Sequence, residues 1–285
     1  MRMLRLLAPL ASLTLWAAPA STSTEMALTS PDGFALKGTL TLPATKGKVP
    51  VVILAHQFRA DRTGWAPLAE RLAARGIGTL ALDLRGHGAS NLRSGAEVSV
   101  SGNFMTSASA VGFDKIPADL AQAATWLRKQ PGVDGRRIGL AGASIGALSA
   151  LLAAPEVKPV AVLGLSPAGN GAFGANLGEH LKTAVLRGKE SVLILVATGD
   201  KEASDNALLL KGLPGVDLDI QEGEDHGLAF LKTKADLMAV FLGEYLTYHR
   251  IGESTASPSK QKPATPGNVI NDQTLAERKA ADAPK

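Results

Sequence analysis

Cysteine is absent from all 285 residues. That excludes disulfide bonds, thiolate metal sites, a cysteine nucleophile and a lipid anchor carried on cysteine. Aromatic residues make up only 4% of the chain, and nowhere do they interleave with a stripe of lysine and arginine. The pattern expected of a nucleic-acid surface is therefore missing. The formal net charge of +4 is small, and Arg2 and Arg5 supply two of those charges. His, Asp and Glu form no cluster at metal-ligand spacing, so no metal or other cofactor is expected.

The two ends differ from the body in composition. Arg2 and Arg5 precede an apolar run from Leu6 to Trp16 and then Ala18-Pro19-Ala20. A charged start, an apolar stretch too short to span a bilayer comfortably and a small-residue cleavage pattern read as a secretory leader over 1–20. The expected location is secreted or periplasmic, with membrane contact only through an uncleaved leader. Residues 251–285 are rich in Pro, Ser, Thr, Ala and Lys and poor in large apolar side chains. Such a composition cannot offset its own ordering entropy and reads as a disordered tail. The remaining 21–250, in a chain that is 45% hydrophobic, is enough for one domain with a full core.

Within that domain, strand-like and helix-like runs alternate. Glu25 to Thr29 and Phe34 to Leu42 flank Pro31-Asp32-Gly33 and predict an antiparallel hairpin. Val51 to Ala55, Gly78 to Asp83, Arg137 to Ala141, Val160 to Leu165, Val192 to Ala197 and Val216 to Ile220 read as strands, most of them apolar throughout, as in a parallel sheet covered on both faces. Leu68 and Leu72 mark one helix ending at Gly76, Ala118 to Gln130 a second, and Gly227 to Tyr248 a last long one. The fold class is α/β, with ligand sites expected at the carboxyl ends of the strands. The Ser/Gly-rich stretch from Ala89 to Phe113, containing Phe104, Met105 and Phe113, is expected to be a long connection lining the entrance to such a site.

One pentapeptide stands out, Gly142-Ala143-Ser144-Ile145-Gly146. It follows the Arg137 to Ala141 strand and precedes Ala147 to Ala154, a run of helix formers stopping at Pro155. A serine on a sharp strand-to-helix turn has its Oγ thrust outward, while the free N–H groups and positive dipole end of the helix face the same point. Serine placed this way can serve as a nucleophile if a base takes its proton, the plain alternative being a turn of small residues.

His56-Gln57-Phe58, Asp83 to Ser90 (DLRGHGAS), Gly142 to Gly146, Gly199-Asp200-Lys201-Glu202 and Asp225-His226-Gly227 occur in this order after successive strands. With these elements the chain resembles the α/β-hydrolase superfamily over roughly 25–250. The resemblance implies a mostly parallel central sheet flanked by helices. The stretch after the Val160 to Leu165 strand, running to about Lys189, is short for an inserted cap, so the cap is expected to be small or absent. It implies Ser144 as nucleophile and His226 as base. The acid, third after the glycine, is Glu202, with Asp200 as the alternative and Asp205 a further one if the loop is placed differently. The oxyanion hole would combine the N–H of Ile145 with that of Phe58, or of Gln57 in a tighter turn. Gln57 stands where the family usually has glycine and offers a side-chain donor of its own. His56, Arg85 and His87 are expected to support the neighbouring loops, and His180 and His249 to be solvated helix residues.

The implied activity is that of a serine carboxylesterase, similar to dienelactone hydrolases, acting on a small-molecule acyl substrate. Peptidase or thioesterase action follows from the same chemistry, and a non-catalytic envelope binding protein is the reading from another class. Serine rather than aspartate at the turn argues against the dehalogenase and epoxide hydrolase branches.

Overall fold

The structure is a computed structural model that describes residues 21–188 and 190–248. The expected leader over 1–20, the expected tail over 251–285 and His249 lie outside the described residues. In chain order the elements begin with β1 (Ser21–Thr29), β2 (Ala35–Pro43), β3 (Val49–Ala55), α1 (Ala66–Ala73) and β4 (Gly78–Asp83). Then follow β5 (Leu92–Arg93), β6 (Ala96–Glu97), α2 (Phe104–Val111), α3 (Ile116–Leu127), β7 (Val133–Ala143) and α4 (Ile145–Val157). The last are β8 (Ala161–Leu165), α5 (Leu177–Arg187), β9 (Ser191–Ala197), α6 (Lys201–Leu210), β10 (Val216–Gln221) and α7 (Leu231–Tyr248).

Eight strands form one sheet in the order β1-β2-β4-β3-β7-β8-β9-β10. The hairpin β1–β2 is antiparallel and joins β4 antiparallel, while β4, β3, β7, β8, β9 and β10 run parallel to one another. The interior strands are apolar on both faces because helices cover both, and strand alternation sorts their side chains into two cores. Val51, Ile53, Ile138, Leu140, Val162, Ile194 and Val196 join the helices α3 to α6 on one side. Val52, Leu54, Ala141, Leu163, Leu193 and Leu195 join Leu68 and Leu72 of α1 and Met238 and Leu242 of α7 on the other. Helix α4 has buried residues around its whole circumference, packed as it is between the sheet, α3 and α5.

Three local expectations change. Helix α4 does not stop at Pro155 but runs to Val157, ending where Lys158 takes a φ of 50°. A proline forfeits its own N–H and one carbonyl partner, and in the last turn that loss is small. The Ala89 to Phe113 connection contains the β5–β6 hairpin and α2, whose start is capped by Asn103 Oδ1 accepting from Thr106 N–H at 2.9 Å. The final helix is preceded by a separate 3-10 turn over Gly227–Phe230.

Every motif that carries the resemblance, and Ser166 besides, lies beyond the carboxyl end of a parallel strand. His56 follows β3, Leu84 to Ser90 follow β4, Ser144 follows β7, Ser166 follows β8, Asp200 follows β9 and His226 follows β10. Arg85, only 1% exposed, clamps the β4 loop from below. Its Nε donates to Asp119 Oδ2 at 2.6 Å and Nη2 to Asp119 Oδ1 at 2.7 Å, while Nη1 reaches Asp32 Oδ2 at 3.0 Å. Two carboxylates thus offset one buried guanidinium, which would otherwise be costly to desolvate. That guanidinium holds Asp32 well below the usual carboxylate range.

Candidate active site

Ser144 sits between β7 and α4 with φ 54° and ψ −118°, a conformation L-residues rarely adopt. The two flanking glycines make that turn sterically feasible. A Cβ on Gly142 would lie inside the backbone of Gly146, and one on Gly146 would lie inside the carbonyl oxygens of Ala55 and His56. The α4 helix therefore approaches both its own strand and β3 more closely than any side chain permits. Ser144 N–H donates to Leu165 O at 2.8 Å, and Ser144 O accepts from Leu148 N–H at 3.1 Å, which fixes the turn from both sides. As the first residue of α4, Ile145 has an N–H with no carbonyl inside the helix to receive it.

The partner of His226 is Asp200. His226 Nδ1 lies 2.7 Å from Asp200 Oδ2. A carboxylate accepts, so Nδ1 carries the proton and Nε2 is left with its lone pair. Glu202, the acid that the resemblance favours, is engaged elsewhere: its Oε1 accepts from Asn170 N–H at 2.8 Å and Gly169 N–H at 3.2 Å. The cause is where α6 begins. With Lys201 already helical, Glu202 falls in the first turn and faces the segment after β8, leaving Asp200 as the last residue before the helix. Asp205 pairs with Lys201 at 2.6 Å on the exposed side of α6.

The loop after β3 is held by histidines. His56 is fully buried; Leu84 N–H donates to its Nε2 at 3.0 Å, so Nδ1 is the protonated nitrogen and donates to Gln57 O at 2.7 Å. Burial pushes His56 down to about 4. Because a peptide's C=O and N–H point in opposite directions, turning Gln57 O toward His56 turns Phe58 N–H away from it. His87 acts in the same way one residue later: its Nε2 accepts from Arg59 N–H at 3.1 Å, and its Nδ1 lies 3.1 Å from Arg85 O. Burial depresses the pKa of His87 as well. His180 is exposed on α5, as expected.

Gln57 does not project as a simple replacement for glycine. Its Oε1 accepts from Leu228 N–H at 2.8 Å, in the turn that follows His226. Gly227, at φ 57°, sits so close to Gln57 Oε1 that a Cβ there would collide with it. Gly227 N–H is in turn received by the buried Ser166 Oγ at 3.0 Å. Ser166 itself has φ 47° and had no signal in the sequence beyond its place after a strand.

Ser144, His226, Gln57, Phe58 and Glu202 open onto one cavity of about 490 Å³, with Phe104, Met105, Ala168, Gly169 and Gly171 completing its wall. In a chain so poor in aromatics, Phe58, Phe104 and Phe113 gather here with His87, each ring centroid 5.3 to 6.0 Å from its neighbours. Phe104 and Met105 are thus entrance residues, while Phe113 is fully buried behind them.

The fold has counterparts among known proteins. Acetyl xylan esterase 1 from Thermoanaerobacterium superposes with a TM-score of 0.60 at 20% identity, over 80% of this chain and 88% of that one. Dienelactone hydrolase from Anabaena variabilis does so with 0.54 at 23% identity, over 79% and 98%. At such identities the likeness is one of fold. Thiohydrolase aneE of Aspergillus aculeatus is 28% identical over 184 residues, 63% of this chain and 52% of that protein, so the chain spans about half the length of this relative. The model of the alpha/beta hydrolase family matches residues 52–259. With that match over most of its length and the strand order described above, the chain belongs to the alpha/beta hydrolase family.

Proposed function

We propose that the chain is a serine hydrolase that cleaves carboxylic ester or related acyl bonds through an acyl-enzyme on Ser144. The observation that carries this reading is the His226–Asp200 pair, 2.7 Å apart, beside the same cavity as a serine held at φ 54°. Ser144 Oγ attacks the carbonyl carbon as its proton passes to His226 Nε2, and Asp200 stabilises the imidazolium. The N–H groups of Ile145 and Phe58 receive the developing oxyanion. As the bond to the leaving group breaks, His226 returns the proton to it. Water then repeats the sequence: His226 takes its proton, the hydroxide adds to the acyl carbon, and Ser144 Oγ leaves with the proton restored.

This assignment replaces Glu202 with Asp200 as the acid. Glu202 keeps a supporting part, holding the 169–170 backbone that forms the cavity wall. Carboxylic esters are the first substrates to consider, since Phe58, Phe104, Met105 and Ala168 give the cavity of about 490 Å³ an apolar wall beside Ser144. Thioesters are the second, on the printed activity of the 28% identical thiohydrolase. The leader read from the sequence of residues 1–20 supports a reaction outside the cytoplasm.

Fluorophosphonate labelling of the full chain tests the reading. Wild type is expected to be labelled at Ser144 and the Ser144→Ala variant not at all. Absence of labelling in folded wild-type protein would reject the enzyme and favour the non-catalytic binding protein. A panel of p-nitrophenyl esters, a thioester and a peptide amide then ranks the acyl bonds.

A further inference from the structure

The loop after β3 separates two cavities. Gln57 and Phe58 line the one containing Ser144; the next two residues, Arg59 and Ala60, line another of about 430 Å³. A second segment does the same, with Phe104 and Met105 on the Ser144 side and Ser99, Ser101 and Gly102 on the other. The cavities are therefore neighbours across shared walls, and their chemistry differs. The first has Phe58, Phe104, Met105 and Ala168 as its apolar wall, with Gln57 and the acidic Glu202 beside Ser144 and His226. The second is lined by Arg59, His87, Asn91, Ser99 and Ser101 among small residues, with no carboxylate residue in its lining. Two acids stand just outside it: Glu97 accepts the Ser99 hydroxyl at 3.1 Å, and Asp83, packed behind Gly88, is occupied by the Ala89 N–H at 2.9 Å.

Arg59 is unusual in two respects. Among the described residues it forms no ion pair, whereas Arg62, three residues on, and Arg85, in the facing loop, are both paired. It also adopts φ 60°, where glycine or asparagine is comfortable and a long side chain is strained. The fold holds it there through the Arg59 N–H donated to the buried His87 Nε2. A planar, permanently charged fork with free donors, at the edge of a polar cavity beside a reaction site, matches an oxyanion such as carboxylate or phosphate.

We propose that this second cavity is a subsite for an anionic oxygen group, carboxylate or phosphate, carried by the substrate, with Arg59 as its principal ligand. The link to catalysis rests on the serine hydrolase reading: the scissile acyl bond lies at Ser144, and the anionic end reaches past residues 57–60. The favoured substrates are then acidic acyl compounds rather than simple neutral esters.

Two measurements on the full chain test this. The first compares kcat/KM for mono-p-nitrophenyl esters of succinic to suberic acid with the same esters methyl-capped at the free carboxyl, alongside butyrate esters of phosphorylated and methyl-capped alcohols. In at least one series the anionic member is expected to be favoured about tenfold or more, the scale of one charge-assisted contact. In Arg59→Asn, which suits the left-handed backbone, that preference should fall to near parity with no loss of Tm. Equal rates for charged and capped members in every series, or a preference that survives Arg59→Asn, would overturn the proposal. The second measurement titrates glutarate and inorganic phosphate into Ser144→Ala protein by calorimetry, where no chemistry occurs. Saturable binding that Arg59→Asn abolishes supports the subsite even if labelling fails; labelling with no such binding rejects the subsite and leaves the hydrolase reading intact.

Discussion

Gln57 Oε1 accepts the N–H of Leu228 at 2.8 Å across 171 residues of sequence, joining the loop expected to hold the oxyanion to the turn that carries His226. A backbone donor at that distance also settles which end of the amide faces the turn, since the amide nitrogen cannot accept. The Nε2 donors are therefore directed elsewhere on a residue that lines the Ser144 cavity. The departure from the family's usual glycine is thus a strut between two halves of the site.

Gln57→Ala removes that strut and leaves Leu228 N–H without its acceptor. A net hydrogen bond contributes about 1 kcal/mol, and an unsatisfied donor costs about as much again. The kcat for an activated ester should fall by about tenfold, with KM less affected, and the Leu228 amide should exchange with deuterium about tenfold faster. Gln57→Glu keeps an acceptor and should restore the slow exchange while failing to restore full kcat, because the donor is gone and a negative charge stands near the oxyanion. Unchanged Leu228 exchange in Gln57→Ala would mean the strut contributes nothing.

The acid is tested by a pair of substitutions. Asp200→Asn retains shape but reverses the proton preference at His226 Nδ1, so the tautomer with a free Nε2 is lost; kcat should drop by about 10³- to 10⁴-fold. Glu202→Gln leaves an oxygen to accept from Gly169 and Asn170 N–H, and kcat should stay within about tenfold of wild type, as for loss of charge from a partly exposed hydrogen bond. The opposite ranking, read by stopped-flow or steady-state rates with p-nitrophenyl acetate, would return the role to Glu202.

Much of this was legible in the chain. Val51 to Ala55 and Val192 to Ala197 read as buried parallel strands because nothing but apolar residues fills them, and the glycines around Ser144 read as a turn because that turn admits no Cβ. The order of Ser144, an acidic loop and His226 came from the resemblance that these motifs carry together. The acid did not follow, because moving it from Glu202 to Asp200 depends on whether α6 begins at Lys201 or two residues later, and DKEAS is a sequence compatible with either start. Gln57 and Ser166 were opaque for a different reason: their partners, Leu228 and Gly227, are backbone groups far along the chain, and backbone donors leave no trace in residue type. Arg59 likewise gave no sign, since a positive φ is announced by glycine and here falls on arginine.

The buried histidine behind the loop after β3 yields a pH dependence whose sign is fixed. His56 is held neutral by burial, with Nε2 accepting from Leu84 N–H, and its pKa in the folded protein is about 4 against about 6.5 when unfolded. Between those values the unfolded chain binds a proton that the folded one refuses. Stability is therefore complete above about pH 6.5 and declines as pH falls toward 4, by roughly 3 kcal/mol in all. His87, depressed in the same direction, adds to the slope. Asp32 does not confuse the window: its lowered pKa gives a contribution that is present above about pH 4 and is lost only below it. Urea unfolding of the full chain at pH 7.5, 6.0, 5.0 and 4.5 should show the midpoint falling through this range. The imidazole resonances of His56 should titrate with a midpoint near 4. A stability flat from pH 7.5 to 4.5, or a His56 midpoint near 6.5, would show that the histidine is not locked in the neutral form that orients Gln57 O and Phe58 N–H.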